Sequence, residues 1–157
     1  MAYAGCSCVH KWAKQDIYPS FSMGQLMRMP LLVTAGAKLK CSFGTMPSDL
    51  FVPPVNRVLA SGKPVATIMD NKPMVNIQPF GMCIAITNPQ VAAATAAAMG
   101  VLTPQPCIPV IASPWAPGSI KVIIGNLPAL HQACMCMCAY GGAIQVLEPG
   151  QQTIEAP

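Results

Sequence analysis

The chain has 157 residues, of which 53% are hydrophobic and only 9% are charged, and its formal net charge is +4. This length predicts one domain, and so few charges predict that part of its surface is permanently buried against a partner. Pro, Gly, Asn or Gln interrupts every apolar stretch before the roughly 18 residues of a membrane span, and the N-terminus lacks the pattern of a signal peptide. The basic residues are too scattered for a nucleic-acid binder.

The composition changes along the chain and indicates three parts. Residues 1–29 mix charges, aromatics and cysteines without periodicity, which is typical of an irregular N-terminal arm. Its Cys6, Cys8 and His10 could instead form a small metal cluster, because alternating ligands share one face of a strand. Residues 30–150 carry the patterns of a compact domain, and 151–157 form a polar tail.

Short strands and many turns dominate the domain. LKC ends a strand at Cys41, with Lys38 and Lys40 predicted on its solvent face. Pro53–Pro54 predicts extended chain, and Ser61–Gly62–Lys63 a hairpin turn. The single predicted helix covers about 89–99: Asn88 caps it before Pro89, an alanine-rich run follows, and Gly100 stops it. Its small side chains are expected to pack closely on the body.

Two segments on either side of this helix resemble each other. VLASGKPVA at 58–66 and VIIGNLPAL at 122–130 both read as strand, glycine turn, proline and small apolar residue. Each is preceded by a cysteine, Cys41 or Cys107, and each is followed by one or more. Because short β units cannot bury their apolar faces alone, the two pseudo-repeats are expected to pack on each other.

The cysteines are the main candidates for chemistry. Cys134, Cys136 and Cys138 alternate, so on a strand they point to one face. Thiols this dense without secretory features indicate metal ligation more than disulfides. Zinc takes four nitrogen or sulfur ligands from any part of a chain, and tetrahedral thiolate sites also accept iron.

Several ordered motifs carry a family resemblance over roughly residues 31–150. LKCSFG, GKPVATIMDNKPMVNIQPFGMC, NPQVAAATAAAMGVLTPQPCIPV, PWAPGS, IGNLPAL and CMCAYGG together resemble the PAAR-like spike-tip family of contractile injection systems. The resemblance implies a small conical β-prism with a metal site near its apex. It also implies a structural, non-enzymatic role: capping the trimeric central spike of a phage-tail-like or type VI secretion-like particle and sharpening it for piercing a target envelope.

The resemblance also implies a ligand set and partners. Its metal positions match Cys41, Cys83, Cys107, Cys136 and Cys138, five candidates for four places around one structural Zn²⁺. Cys134 is an extra cysteine and His131 a surface residue in this comparison, although either could substitute as a ligand. The spike trimer would bind a broad apolar base, effectors are a further possible cargo, and the target membrane would be touched only transiently. The protein is expected in the bacterial cytoplasm during assembly and then within the injection particle.

Other functions fit the residues less well. Five acidic residues and two histidines leave few groups for acid–base catalysis, and Asp70 reads as a turn residue. The main alternative is a small cysteine-rich zinc adaptor for protein or nucleic acid, although its CxxC knuckles are missing. A third is an exported disulfide scaffold, which the expected lack of a signal peptide disfavours.

Overall fold

The computed structural model describes residues 29–156, which form short antiparallel strands and one helix. This confirms the predicted mainly β fold. The strands are β1 (Lys38–Cys41), β2 (Ser48–Asp49), β3 (Leu59–Ala60), β4 (Lys63–Pro64), β5 (Met82–Cys83), β6 (Gln105–Pro106), β7 (Ile123–Ile124), β8 (Leu127–Pro128), β9 (Met135–Met137) and β10 (Ala143–Glu148). The helix α1 spans Pro89–Ala97, and a 3-10 helix spans Pro54–Asn56 where the sequence predicts extended chain.

The largest sheet has four antiparallel strands in the order β2-β1-β10-β9. In β1, Leu39 and Cys41 are buried while Lys38 and Lys40 face solvent, as the alternation of the sequence predicts. The sheet therefore places one face of β1 and β9 in the core. That face brings cysteines from both strands into the interior.

The two predicted pseudo-repeats are a pair of matching hairpins. β3 pairs with β4 and β7 with β8, each through a two-residue turn, Ser61–Gly62 or Gly125–Asn126. Both residues of each turn have positive φ, between 52° and 76°, which is the geometry that suits the twist of tight hairpins. The similarity of the sequences therefore reflects a duplicated structural unit.

Three backbone segments meet in a closed ring of hydrogen bonds. The amide of Ala66 donates to the carbonyl of Val33 (2.9 Å), that of Leu130 to Ala66 (2.8 Å), and that of Val33 to Leu130 (2.9 Å). All three residues are fully buried. Because each segment donates to one neighbour and accepts from the other, the three are related by a pseudo-threefold axis. We call these residues the central ring.

The pseudo-threefold relation continues on both sides of the central ring. The residue after each ring residue bridges the residue before another, in the pairs Thr34 with Val65, Thr67 with Ala129 and His131 with Leu32. One step further out, bonds of 2.9 to 3.1 Å run from the amides of Ala35, Ile68 and Gln132 to the carbonyls of Pro64, Pro128 and Leu31. The symmetry thus covers three layers of backbone.

A third hairpin, which the sequence comparison does not reveal, completes the pattern. Residues 30–32 pair with residues 154–156, through bonds from Leu32 to Ile154 (3.0 Å) and from Ala156 to Pro30 (2.7 Å). It occupies the place equivalent to β3–β4 and β7–β8, but its strands come from distant parts of the chain. The segment that the sequence separates as a polar tail therefore supplies a strand of the fold.

The three hairpins share one small core. Ala60, Ile124 and Ala156 hold equivalent positions and are nearly inaccessible to solvent. They pack with Leu32, Val65 and Ala129, which also form an equivalent set. The larger core lies around the four-stranded sheet and includes Trp115, Phe80 and the buried cysteines.

The helix α1 begins where the sequence predicts and ends at Ala97, two residues before the predicted end, and its packing also differs. The Asn88 side chain accepts a hydrogen bond from the amide of Gln90 (3.0 Å), and the chain reverses at Gly100 with φ of +90°. Val91 is the one fully buried residue of α1, and of its alanines only Ala92 and Ala94 are half-buried, so the helix packs less closely on the body than expected. Nothing in residues 29–156 forms a helix with the length and hydropathy that a bilayer span requires.

Candidate metal centre

Two of the candidate cysteines sit at pseudo-symmetric positions. Cys41 ends β1 and Cys138 follows β9, each the same number of residues after its ring residue, Val33 or Leu130. Each is followed by the same turn, in which the amide of Gly44 or Gly141 donates to the cysteine carbonyl, at 3.1 Å and 2.9 Å. The shared C-x-x-G spacing is a signal that could have paired these two cysteines from sequence.

Cys83 and Cys107 come from a separate hairpin. Cys83 lies in β5 and pairs with Gln105 of β6, and Cys107 follows directly after β6. The amide of Cys107 donates to the carbonyl of Gly81 (2.7 Å), and an isolated bridge joins Cys83 to Gly44. This hairpin is therefore held against the turn that follows Cys41.

Cys41 and Cys107 are buried beside other cysteines of this set. Burial raises the pKa of Cys41, and repulsion from Cys138 and Cys83 raises it further. Burial raises the pKa of Cys107 to about 12, with further contributions from Cys41 and Cys83. We call Cys41, Cys83, Cys107 and Cys138 the thiol cluster. All four are buried and free of disulfides.

A glycine makes room for the thiol cluster. A Cβ atom on Gly142 would lie 2.8 Å from the sulfur of Cys41 and 3.6 Å from the Cβ of Cys138. Such a contact with sulfur is too short for any side chain, so the backbone can approach the cluster only with glycine here. The aromatic ring of Phe43 also lies beside this glycine, at 3.5 Å from the same Cβ position. The sequence alone gives no signal that Gly142 and Phe43 lie beside the thiol cluster.

Cys134 and Cys136, the other two cysteines of this region, also point inward, but the thiol of each donates to a carbonyl outside the thiol cluster. Cys134, Cys136 and Cys138 are all buried, as their alternation predicts. The Cys136 thiol donates to the carbonyl of Ser113 (3.5 Å), and burial raises its pKa to about 11. The Cys134 thiol donates to the carbonyl of Pro117. Repulsion from Cys138 also contributes to the raised pKa of Cys136, so Cys136 adjoins the thiol cluster at Cys138.

His131 is buried, with 8% of its surface exposed, whereas the sequence places it at the surface. It occupies the position next to the central ring that Thr34 and Thr67 hold in the other two segments. Its Nδ1 atom is buried without a hydrogen-bond partner. Burial lowers the pKa of this imidazole, so the neutral form is favoured in the fold.

Asp70 has the turn role that the sequence predicts. Its carboxylate accepts hydrogen bonds from the Thr67 amide (2.7 Å) and hydroxyl (3.1 Å), and from the Asn76 side chain (3.3 Å). The carboxylate oxygens are therefore occupied in holding the loop together. This arrangement supports a structural role for Asp70.

The donor set of the thiol cluster fits a soft divalent ion. Four buried thiolates would repel one another strongly, and a divalent cation offsets that repulsion while replacing their protons. Among residues 29–156, no three His, Cys, Asp or Glu side chains are already arranged to hold a metal ion. Binding would therefore require the thiols to turn toward a common centre. Cys6, Cys8 and His10 lie outside the described residues.

Comparison with known proteins places most of the domain in one family. No curated protein and no solved structure matches the chain. A family model described as a domain of unknown function, DUF4280, matches residues 33–151. This range contains the central ring, both continuous hairpins, α1 and the thiol cluster. The chain belongs to the DUF4280 family.

Proposed function

We propose that this protein is the tip of a contractile injection system and that one copy caps the end of its trimeric spike. The observation that carries the proposal is the central ring, in which Val33, Ala66 and Leu130 relate three segments of one chain by a pseudo-threefold axis. A single chain with this symmetry can present a similar surface to each of three identical subunits. A zinc adaptor module has no need of such symmetry, so the ring favours the cap over that alternative.

The three hairpins are the surface that suits the spike. Leu59 and Ile123 occupy equivalent outward positions and are 58% and 64% exposed. The third hairpin has the exposed Glu155 at this position, next to the exposed apolar Ile154. Stable protein interfaces bury apolar area of this kind at their centre. We therefore assign the hairpin face as the base of the cap. Its role is structural, without catalysis.

The thiol cluster would crosslink the other core of the molecule. Cys41, Cys83, Cys107 and Cys138 are contributed by four separate segments, whose short strands bury little area by themselves. The structural metal best suited to four thiolates is Zn²⁺, and iron is the second ion that such a site accepts. Bound metal would join these segments and so stiffen a tip that is loaded during piercing. Effector carriage rests on the family resemblance alone.

The capping role is tested by co-expressing the full chain with the spike protein of its own particle. We expect co-elution at one chain per spike trimer, measured by size-exclusion chromatography with light scattering. Leu59→Asp and Ile123→Asp should each weaken this association at least about tenfold, because each puts a charge into the apolar base. Val101→Asp, an exposed valine outside the hairpins, is the control and should leave capping intact. Three chains per trimer, or unaltered binding by both hairpin variants, would contradict the proposal.

A further inference from the structure

The middle of the chain carries no ionisable side chain other than cysteine. Residues 73–120 contain no Asp, Glu, Lys, Arg or His, although such residues occur on both sides, at Lys72 and Lys121. This stretch includes β5, α1 and β6. It is not simply a core segment, because many of its apolar side chains are exposed to solvent. An uncharged and exposed stretch of this length is unusual for a protein surface, where polar and charged side chains normally intersperse.

Three of the exposed apolar residues of this stretch lie together at the end of α1. Met99, Val101 and Leu102 are 97%, 68% and 46% exposed, and we call residues 99–102 the helix tip. Positive φ angles at Met99 and Gly100 turn the chain back at this point. The helix itself adds mainly alanines, of which several are half-buried or exposed. Together they form an apolar projection without an intramolecular partner for the helix tip among the described residues.

The projection is attached directly to the thiol cluster. It is the connection between β5, which contains Cys83, and β6, which precedes Cys107. At its start, the hydroxyl of Thr87 donates to the carbonyl of Tyr140 (2.6 Å). Crosslinking of the thiols by a metal would therefore fix both ends of the projection.

The backbone of the helix tip is already hydrogen-bonded within the projection. The amides of Met99, Gly100 and Val101 donate to carbonyls of α1 and its last turn, over 2.9 to 3.2 Å. Beyond the Leu102 amide, which has no hydrogen-bond partner in the described residues, the Thr103 amide donates to the hydroxyl of Thr95 (3.2 Å) and the Thr103 hydroxyl donates to the carbonyl of Val101 (3.0 Å). In hydrocarbon, backbone polar groups must be satisfied internally. The helix tip largely meets this condition.

We propose that α1 and the helix tip insert into the hydrocarbon region of a lipid bilayer. This inference rests on the proposed spike-tip function, which brings the molecule to a target membrane. A helix of nine residues is about 14 Å long, about the thickness of one hydrocarbon leaflet. Insertion would need no charge to be dehydrated, because none is present.

A protein partner suits this surface less well. Residues 84–104 contain no aromatic residue and no arginine, which are the side chains that anchor most protein interfaces. The footprint of so short a helix also falls well below the roughly 800 Å² per partner that a stable dimer buries. A bilayer needs neither anchor pockets nor shape complementarity.

The test uses the full chain bound to its spike trimer and vesicles of phosphatidylcholine alone. Flotation should show binding that persists at high salt, because apolar insertion is not screened. Val101→Asp should weaken the partition at least about tenfold, since a carboxylate in hydrocarbon is costly. Val55→Asp is the matched control: Val55 is 77% exposed, lies outside residues 73–120, and its replacement should leave vesicle binding unchanged.

Each other outcome overturns the inference in a recognisable way. Absence of binding to the phosphatidylcholine vesicles would refute insertion. If binding appeared only with vesicles that also contain an anionic lipid, and fell with salt, it would be electrostatic attraction to the lysines. Self-association abolished by Val101→Asp would assign the surface to a second copy of the chain. Loss of spike co-elution in Val101→Asp would assign it to the spike. If the chain co-elutes with the spike but does not bind vesicles, only the insertion proposal is refuted. If the chain binds vesicles but does not cap the spike, only the spike-tip function is refuted.

Discussion

His131 is the residue at which the pseudo-threefold pattern changes chemistry. The equivalent residues, Thr34 and Thr67, are buried, and their hydroxyls donate to Pro149 (3.3 Å) and Asp70 (3.1 Å). The imidazole at the third position leaves its Nδ1 atom unpartnered. The alignment of 58–66 with 122–130 sets His131 opposite Thr67, but the equivalence with Thr34 is not visible in the sequence, because the third hairpin is split between residues 30–32 and 154–156 and leaves no contiguous repeat to align.

We predict that His131 makes the fold sensitive to acid. Burial holds the pKa of His131 below its ordinary value of about 6.5. As the pH falls below about 6.5, the unfolded chain takes up a proton that the folded chain resists, so the free energy of unfolding decreases. His131→Thr, which places the residue of the other two segments here, should remove this part of the pH dependence. Denaturant unfolding of both proteins between pH 5 and 8 measures it. Parallel stability curves would show that His131 is not the group responsible.

At the scale of elements, the sequence predicted the ends of the helix and the tight turns better than it predicted which strands pair. The Asn-Pro start and Gly stop of α1 and the two glycine hairpins act through neighbouring residues, so they are visible in the sequence. The pairing of β1 with β10 joins segments about a hundred residues apart and depends on the whole fold. The exposure of α1 could not be predicted from the sequence for a related reason, because an alanine-rich helix has no polar face to show which side meets solvent.

The candidate ligands show the same difference between features set by neighbouring residues and features set by the whole fold. The alternation of Cys134, Cys136 and Cys138 predicted a common inward face, and the structure confirms it. Which thiols meet Cys41 depends on how β5–β6 docks against the turn at Gly44, and no spacing in the sequence encodes that contact. The choice of four ligands among the five candidates therefore stays a prediction, and it rests on tertiary contacts that the sequence does not encode.

We predict that zinc content follows membership of the thiol cluster. Cys83→Ser and Cys107→Ser should each abolish the expected one zinc per chain and lower the thermal stability, because structural zinc contributes on the order of 10 kcal/mol to folding. Cys136→Ser, which alters a buried thiol two residues before Cys138, should keep the metal. Elemental mass spectrometry on the spike-bound protein decides between them. Equal metal loss in Cys136→Ser would place it among the ligands, and disulfides in a metal-free protein would refute the site.

At the scale of the whole molecule, the fold closes by pairing residues 30–32 with 154–156. Ala156 takes the place of Ala60 and Ile124 in the small core, and it is equally buried. The pseudo-threefold arrangement therefore depends on a strand pair whose two strands are not joined by a turn. In the other two hairpins, a two-residue type I′ turn makes that connection.

A circular permutant tests whether the three hairpins are equivalent. Joining Ala156 to Pro30 through Asn-Gly supplies the missing turn, and opening the chain between Ser61 and Gly62 makes the β3–β4 hairpin the split one. We expect this permutant to unfold within about 1 kcal/mol of an unpermuted chain of residues 30–156, because backbone pairing and burial are conserved while one turn is exchanged for another. Chemical denaturation and spike co-elution measure the two properties. Opening the same joined chain between Leu39 and Lys40, inside a strand paired on both sides, should prevent folding. If the first permutant were as unstable as the second, the pseudo-threefold equivalence of the hairpins would be refuted.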